Sequence, residues 1–140
     1  MFFSKTAIAA ALLSALQLSA AAPSPQSGSA PAAPGGSRSG KITFFTPGLG
    51  SCGLQSSESD PVAAIGKSLF DASTPSGNSN NNPLCNSRIR VTAGGKSVEV
   101  SVVDSCPACS ENDLDLSPTA FAQLADLGAG KVDATWEFIN

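Results

Sequence analysis

The chain has 140 residues, a formal net charge of −3 and no histidine. The lack of histidine excludes Ser-His-Asp and Cys-His catalysis, zinc held by histidine and any imidazole acid or base. The short length excludes a multidomain enzyme.

The first 39 residues have the composition of a targeting segment followed by a tether. Residues 1–20 resemble a secretory signal peptide, because Lys5 is the only charge and an Ala-rich stretch ends the apolar run. Residues 21–39 are mostly Ala, Pro, Ser and Gly, which bury too little surface to offset the entropy of ordering. We therefore expect a secreted, extracellular protein with a disordered linker and one folded domain over residues 40–140.

The folded segment is acidic. Residues 40–140 contain eleven acidic and six basic side chains, a net charge of about −5, and residues 97–130 contain six acids and no Lys or Arg. Nucleic acid and anionic membranes both require a positively charged surface, so neither is expected as a partner. We expect a monomer that needs neither a cofactor nor a metal.

The first half of the domain predicts short strands and one long loop. Residues 41–46 are β-branched and aromatic and are followed by Pro47 and Gly48, which indicates a first strand that ends in a turn. Residues 62–65 and 68–70 are short apolar runs that predict two brief strands. Residues 72–83 are rich in Ser, Asn, Gly and Pro and predict a surface loop.

The second half predicts a hairpin, a helix and a final strand. Residues 88–92 and 97–103 flank a Gly-Gly turn, and Val98, Val100 and Val102 fall on one face by period two. A helix is predicted to begin at Ser117 and Pro118, and alternation over residues 132–138 predicts the last strand. About six strands and one short helix indicate a mostly β fold of the small-barrel class.

Four cysteines in a secreted domain of this size predict two disulfides with three possible pairings, among Cys52, Cys85, Cys106 and Cys109. A redox dithiol at Cys106 and Cys109, or half of a zinc site, is the alternative. The residues after Cys109 lack the apolar period of a helix that the redox motif requires, and no second closely spaced pair completes a zinc site. Structural bridges are therefore favoured.

Several motifs in order resemble the double-psi β-barrel superfamily, which includes barwin, the first domain of expansins, family 45 endoglucanases and rare lipoprotein A-type lytic transglycosylases. The motifs are Gly40-x-x-Thr43-Phe44-Phe45, Gly50-Ser51-Cys52-Gly53, Asn82-Pro83-Leu84-Cys85, Val103-Asp104-x-Cys106, Asp113-Leu114-Asp115-Leu116-Ser117-Pro118 and Trp136-Glu137-Phe138. Within it, the chain is most similar to the single-domain fungal expansin-like loosenins. The resemblance implies a six-stranded double-psi barrel stapled by Cys52–Cys85, a bridge found in barwin, and by Cys106–Cys109.

The resemblance also implies a polysaccharide groove. Asp104 and Asp115 would lie in it beside Thr43, and Asp115 matches the carboxylate that acts as general acid in the hydrolases and is needed for wall loosening in expansins. Its place between two leucines is typical of a proton donor with a raised pKa. The alternative is structural: Asp115 would cap the next helix or bind backbone at the strand end, and Asp104 would end a strand beside a turn.

Other residues of the region have simpler interpretations. Phe45 stands where the relatives carry Tyr, and Phe45 or Phe44 is a candidate stacking surface, although core packing is the simpler expectation for each. Trp136 is expected in the core. Glu111 and Asp113 are expected to be solvated loop charges.

Three functions remain open from the sequence. The first is non-hydrolytic binding and loosening of a cell-wall polysaccharide such as cellulose or chitin, since the family 45 general base and the lytic transglycosylase histidine both lack a counterpart here. The second is a proteinase inhibitor or effector on the same barrel, with residues 72–83 as a protein-binding loop. The third is a weak glycoside hydrolase that uses Asp115 as its acid.

Overall fold

The structure, a computed structural model, describes residues 36–139. The predicted signal peptide and most of the predicted linker lie outside the described residues. The six strands are β1 (Arg38–Phe44), β2 (Val62–Gly66), β3 (Arg88–Ala93), β4 (Lys96–Cys106), β5 (Leu114–Leu116) and β6 (Val132–Phe138). The two short helices are α1 (Lys67–Ala72) and α2 (Pro118–Ala122).

The strands close into one barrel in the order β1-β5-β2-β4-β3-β6. Two neighbouring pairs, β1 with β5 and β2 with β4, are parallel, and the other four pairs are antiparallel. Closure leaves no free sheet edge, so every strand has two hydrogen-bonded neighbours. The predicted six-stranded double-psi barrel is confirmed.

The barrel interior is filled by the inward side chains of all six strands. Val98, Val100 and Val102 lie inside, as their spacing predicts. Phe70 of α1 and Phe121 of α2 pack against the same core from outside the sheet and are at most 1% exposed. Because this core is continuous, the outward side chains of the strands stand on a rigid support.

Two boundary predictions were wrong. Residues 68–70 form part of helix α1 and not a strand, because β2 ends at Gly66 and a short apolar run alone does not distinguish a buried helix from a strand. The barrel therefore has two helices where one was expected. Strand β1 begins at Arg38, two residues inside the predicted linker, since Arg38 stacks 5.4 Å from the ring of Trp136.

The other predicted elements are present. Gly94 and Gly95 form the turn of the β3–β4 hairpin with φ angles of 57° and 77°, which glycine adopts freely. Helix α2 has Ser117 at its N-cap and Pro118 in its first turn, but the Ser117 side chain makes no cap bond; its Oγ instead accepts from the backbone of Val62 at 3.4 Å. The predicted surface loop is exposed along most of its length and contains two 3₁₀ turns.

Both expected disulfides are formed. Cys52–Cys85 joins the segment after β1 to the segment before β3, and Cys106–Cys109 closes a loop directly after β4. No cysteine of residues 36–139 is left as a thiol, which confirms the prediction of two disulfides. Within the same residues, no helix has the length and apolar character needed to cross a membrane.

Candidate functional site

The predicted site residues form one row across four adjacent strands. Thr43 of β1 is directly paired with Asp115 of β5, and Asp115 is paired in turn with Ala64 of β2. Ala64 is also paired with Asp104 of β4. Residues paired in this way share a face of the sheet, so both acids lie on the same side with a small side chain between them. Neighbouring strands are about 4.8 Å apart, which places the two aspartate Cα atoms about 10 Å apart.

A β-bulge gives Asp104 its direction. The pairing of β2 with β4 moves from Ala63–Val102 to Ala64–Asp104, so Val103 is left without a partner on β2. Without the extra residue, strict alternation after Val102 would direct Asp104 into the core. The bulge thus brings Asp104 to the face that carries Asp115.

Asp115 lies in a small cavity beside a disulfide. The Thr43 hydroxyl donates to its Oδ1 at 3.0 Å. A cavity of about 140 Å³ is lined by both residues together with Lys41, Cys106, Ala108, Cys109, Asp113 and Lys131. A carboxylate oxygen of Asp115 and the two bonded sulfurs lie within 4.8 Å of one another. Because the sulfurs are bonded to each other, this cluster is a wall of the cavity and not a set of thiolate ligands.

Burial raises the pKa of the Asp115 carboxyl above its ordinary value of 3.8. The hydrogen bond from Thr43 opposes this shift, and the negative charge of Asp104 adds to it. The folded protein therefore holds a proton on Asp115 at pH values where the unfolded chain has lost it. Stability from this group falls as the pH rises from the ordinary carboxyl range through the raised pKa.

The signs of these contributions predict a pattern of titration shifts. We expect the Asp115 carboxyl carbon, followed by ¹³C NMR, to titrate above 3.8 in the wild type. Thr43→Val should move the midpoint higher because the opposing hydrogen bond is lost, and Asp104→Asn should move it lower because the neighbouring charge is lost. A lower midpoint in Thr43→Val would contradict the assigned hydrogen bond.

Asp104 mainly holds a loop in place. Its Oδ1 accepts from the backbone and hydroxyl of Ser51, at 2.9 and 2.8 Å, and from the Ser105 backbone at 2.8 Å. The same loop is fixed by a backbone bond from Cys52 to the bulged Val103. Asp104 does not line the Asp115 cavity. It lies two residues before the end of β4, and its Oδ1 is occupied by the bonds that hold the Ser51 loop.

Asp113 is a site residue that the sequence analysis missed. It was expected to be a solvated charge, yet it is half-buried and its Oδ1 accepts from the backbone of Lys41 at 2.9 Å. Its Oδ2 accepts from the backbone of Ser110 at 3.2 Å. The Ser-x-x-Asp spacing is the signal for this turn. Asp113 therefore ties the disulfide loop to β1, whereas Glu111 is exposed as expected.

A lysine stands at the edge of the Asp115 cavity and was also missed. Lys41 precedes Thr43 by two residues and shares its face, and its Nζ lies 2.5 Å from Asp133 of β6. The hydrogen bond from Lys41 to Asp133 raises the pKa of the lysine. Lys41 therefore remains charged, and its exposed ion pair with Asp133 links β1 to β6.

The aromatic residues divide differently from expectation. Trp136 is 2% exposed and donates from Nε1 to the backbone oxygen of Asn112 at 2.7 Å, so its core assignment is correct. Phe44 is 37% exposed and packs with its ring centroid 5.0 Å from that of Phe121. Phe45 is half-buried directly after β1. The expectation of core burial was therefore wrong for both phenylalanines, because Phe44 is the last residue of β1 and Phe45 follows the strand.

Comparison with known families identifies the chain. The lytic transglycolase family model of the double-psi β-barrel matches residues 62–136, more than half of the chain. The chain belongs to this family. It is 37% identical over 105 residues to a papain inhibitor of Streptomyces mobaraensis, covering 72% of this chain and 71% of that protein. It is also 31% identical over 107 residues to an EG45-like domain containing protein of Citrus jambhiri, covering 66% of this chain and 75% of that protein.

Solved structures show the same barrel. The Streptomyces papain inhibitor matches with a TM-score of 0.69 and 37% identity, covering 76% of this chain and 98% of the inhibitor. An expansin of Clavibacter michiganensis, solved as a mutant in complex with cellohexaose, matches with a TM-score of 0.62 and 22% identity. That match covers 74% of this chain and 50% of the expansin. At this identity the expansin likeness concerns the fold alone.

Proposed function

We propose that the protein is a secreted, non-hydrolytic expansin-like protein that binds and loosens cell-wall polysaccharide such as cellulose or chitin. The observation that carries this proposal is the row Thr43–Asp115–Ala64–Asp104 across four strands, in which the three polar side chains are partly exposed and Ala64 is buried. Carboxylates and a hydroxyl in a line offer hydrogen bonds to successive sugar hydroxyls. A ligand that competes for the hydrogen bonds between polymer chains would loosen the network without cutting it.

The arrangement favours binding over hydrolysis. Glycoside hydrolysis needs a proton donor and a second carboxylate that acts as nucleophile or activates water. Asp115, with its raised pKa, suits the first role. Asp104 is a weak candidate for the second, because its Oδ1 already accepts three hydrogen bonds that hold the Ser51 loop. With no histidine in the chain, an imidazole cannot replace it.

This proposal predicts binding without product. We expect the protein to sediment with insoluble cellulose or chitin and to release no reducing sugar above the protein-free control during prolonged incubation. A neutral polymer held by a few hydrogen bonds should be bound weakly, with micromolar to millimolar affinity. Steady release of soluble sugar would establish hydrolysis instead, and failure to sediment with every polymer would remove the proposed function.

Inhibition of a cysteine proteinase is the second candidate. It is favoured by the 37% identity to a papain inhibitor over nearly the whole of that inhibitor's structure. The loop fixed by Asp104 also presents two apolar side chains, Leu49 and Leu54, which are 73% and 39% exposed. A rigid loop with exposed leucines is suited to an apolar protease subsite.

A papain assay separates the two candidates. If inhibition is the function, papain should be inhibited at low micromolar protein, and Leu49→Ser with Leu54→Ser should relieve it. Those substitutions leave the Asp115 row untouched, so polysaccharide binding should not change. We expect no inhibition if the polysaccharide proposal is correct.

A further inference from the structure

A row of four hydroxyl side chains, the hydroxyl row, crosses strands β1, β6, β3 and β4. Ser39 of β1 is paired with Thr135 of β6, Thr135 with Thr92 of β3, and Thr92 with Ser97 of β4. Ser39, Thr135 and Ser97 are exposed and Thr92 is half-buried. Because paired residues share a face, the four residues stand in one outward line on strands about 4.8 Å apart. The Thr92 and Ser97 hydroxyls are hydrogen-bonded to each other at 2.9 Å.

This hydroxyl row lies in a cavity that continues from the Asp115 site. A wide, shallow cavity of about 860 Å³ includes Ser39, Thr92 and Thr135 in its lining. Three residues, Lys41, Asp113 and Lys131, line both this cavity and the smaller one that contains Asp115. The two cavities therefore meet at Lys41, which stands between Ser39 and Thr43 on the outer face of β1.

We infer that Ser39, Thr135 and Thr92 of the hydroxyl row form a second carbohydrate subsite, and that one polysaccharide chain spans from the Asp115 cavity across Lys41 to these three residues. The inference rests on the proposed function. Ser39 and Thr43 are about 13 Å apart along β1, and Thr92 lies about 10 Å from Ser39 across the sheet. Only an oligosaccharide of several sugar units can contact both ends of this path.

The chemistry of the path favours an uncharged glycan. Hydroxyls donate and accept hydrogen bonds, as sugar hydroxyls do, and carry no charge. The charged groups along the path nearly balance, since Lys41 pairs with Asp133 and Lys131 stands near Asp113 and Asp115 in the lining. A polyanion such as polygalacturonate would gain little there and would meet the acidic surface around it. We therefore assign a neutral β-linked glucan or chitin chain to the extended groove.

The test measures how tightly the wild type and two double variants bind long and short oligosaccharides. Thr92→Val with Thr135→Val removes two hydroxyls and keeps the β-branched shape, whereas Thr92→Ser with Thr135→Ser keeps both hydroxyls. Cellohexaose and chitohexaose are the long probes, cellobiose and chitobiose the short ones, and polygalacturonate the charged control. Binding is followed by NMR titration of the ¹⁵N-labelled protein, and the amide spectrum also reports whether each variant is folded.

The reference ligand is whichever of the two hexasaccharides the wild type binds more tightly. We expect the Thr92→Val, Thr135→Val variant to bind it about five- to tenfold more weakly than the wild type, because the variant loses one or two hydrogen bonds. The serine variant should bind it within about twofold, and the disaccharides should bind all three proteins equally. Hexasaccharide should shift the amides of residues 39, 92 and 135, and disaccharide should not. Polygalacturonate should leave them unchanged.

The outcomes separate this subsite from the proposed function. If hexasaccharide shifts the amides around Asp115 but binds the valine variant as tightly as the wild type, the extended groove is refuted and the proposed function stands. If the amides of the hydroxyl row shift while those around Asp115 do not, the row is supported and the Asp115 site is refuted. If no hexasaccharide or polymer binds, both are refuted.

Discussion

Replacing Cys52 and Cys85 together by alanine is expected to lower the free energy of unfolding by about 4 kcal/mol, whereas replacing Cys106 and Cys109 should lower it by about 2 kcal/mol. The reason is loop length: the first bridge joins residues 33 positions apart and the second joins residues three apart. Closing a longer loop removes more entropy from the unfolded chain. Denaturant unfolding of the two double variants measures this difference.

The same pair of variants separates stability from function. Cys52–Cys85 lies outside the Asp115 cavity, while Cys106 and Cys109 form one of its walls. At temperatures where both variants are folded, the first should bind polysaccharide as the wild type does, and the second should bind less. A larger loss of stability from the short loop than from the long one would contradict the entropic account.

Gly40→Ala is expected to destabilise the fold by about 3 kcal/mol and to displace the disulfide loop. A Cβ at Gly40 would lie 2.0 Å from the backbone oxygen of Asn112, and a backbone atom cannot move aside independently. That oxygen also accepts the Trp136 Nε1 hydrogen bond. Thermal unfolding should show a melting temperature lower by about 10 to 20 °C.

Gly128→Ala is the matched control for Gly40→Ala. No atom lies within 4 Å of a Cβ at Gly128 and its φ is not positive, so this change should be neutral or slightly stabilising. If Gly40→Ala had the same melting temperature as Gly128→Ala, the close approach of residues 110–113 to β1 would be wrong. The lining of the Asp115 cavity, to which Asp113 of that segment contributes, would then also be wrong.

The elements of the fold were readable from local patterns. Alternation located β4 and β6, the Gly-Gly pair located the hairpin, and Pro118 located the start of α2. These signals act within a few residues, so the sequence carries them directly. Residues 68–70 were misread because three residues give too short a run to separate helix from strand.

The site was harder to predict because it depends on contacts between distant segments. Asp115 and Asp104 were both identified from the resemblance to the barrel superfamily, and the buried leucines on either side of Asp115 explain why Asp115 faces outward. Asp104 reaches the same face only because of the bulge at Val103, and no local sequence pattern predicts that bulge. Asp113 and the hydroxyl row depend on strand register, which is fixed by the closed barrel and not by any one segment.

The binding of insoluble cellulose and chitin by the wild type, Asp115→Ala and Asp126→Ala tests the central claim most directly. Asp126 is an exposed acid that does not line either cavity, so its variant controls for the loss of one negative charge. We expect Asp126→Ala to bind as the wild type does and Asp115→Ala to bind at least about tenfold more weakly, the effect of losing a charge-assisted hydrogen bond. Equal binding by all three folded proteins would contradict a carbohydrate site at Asp115.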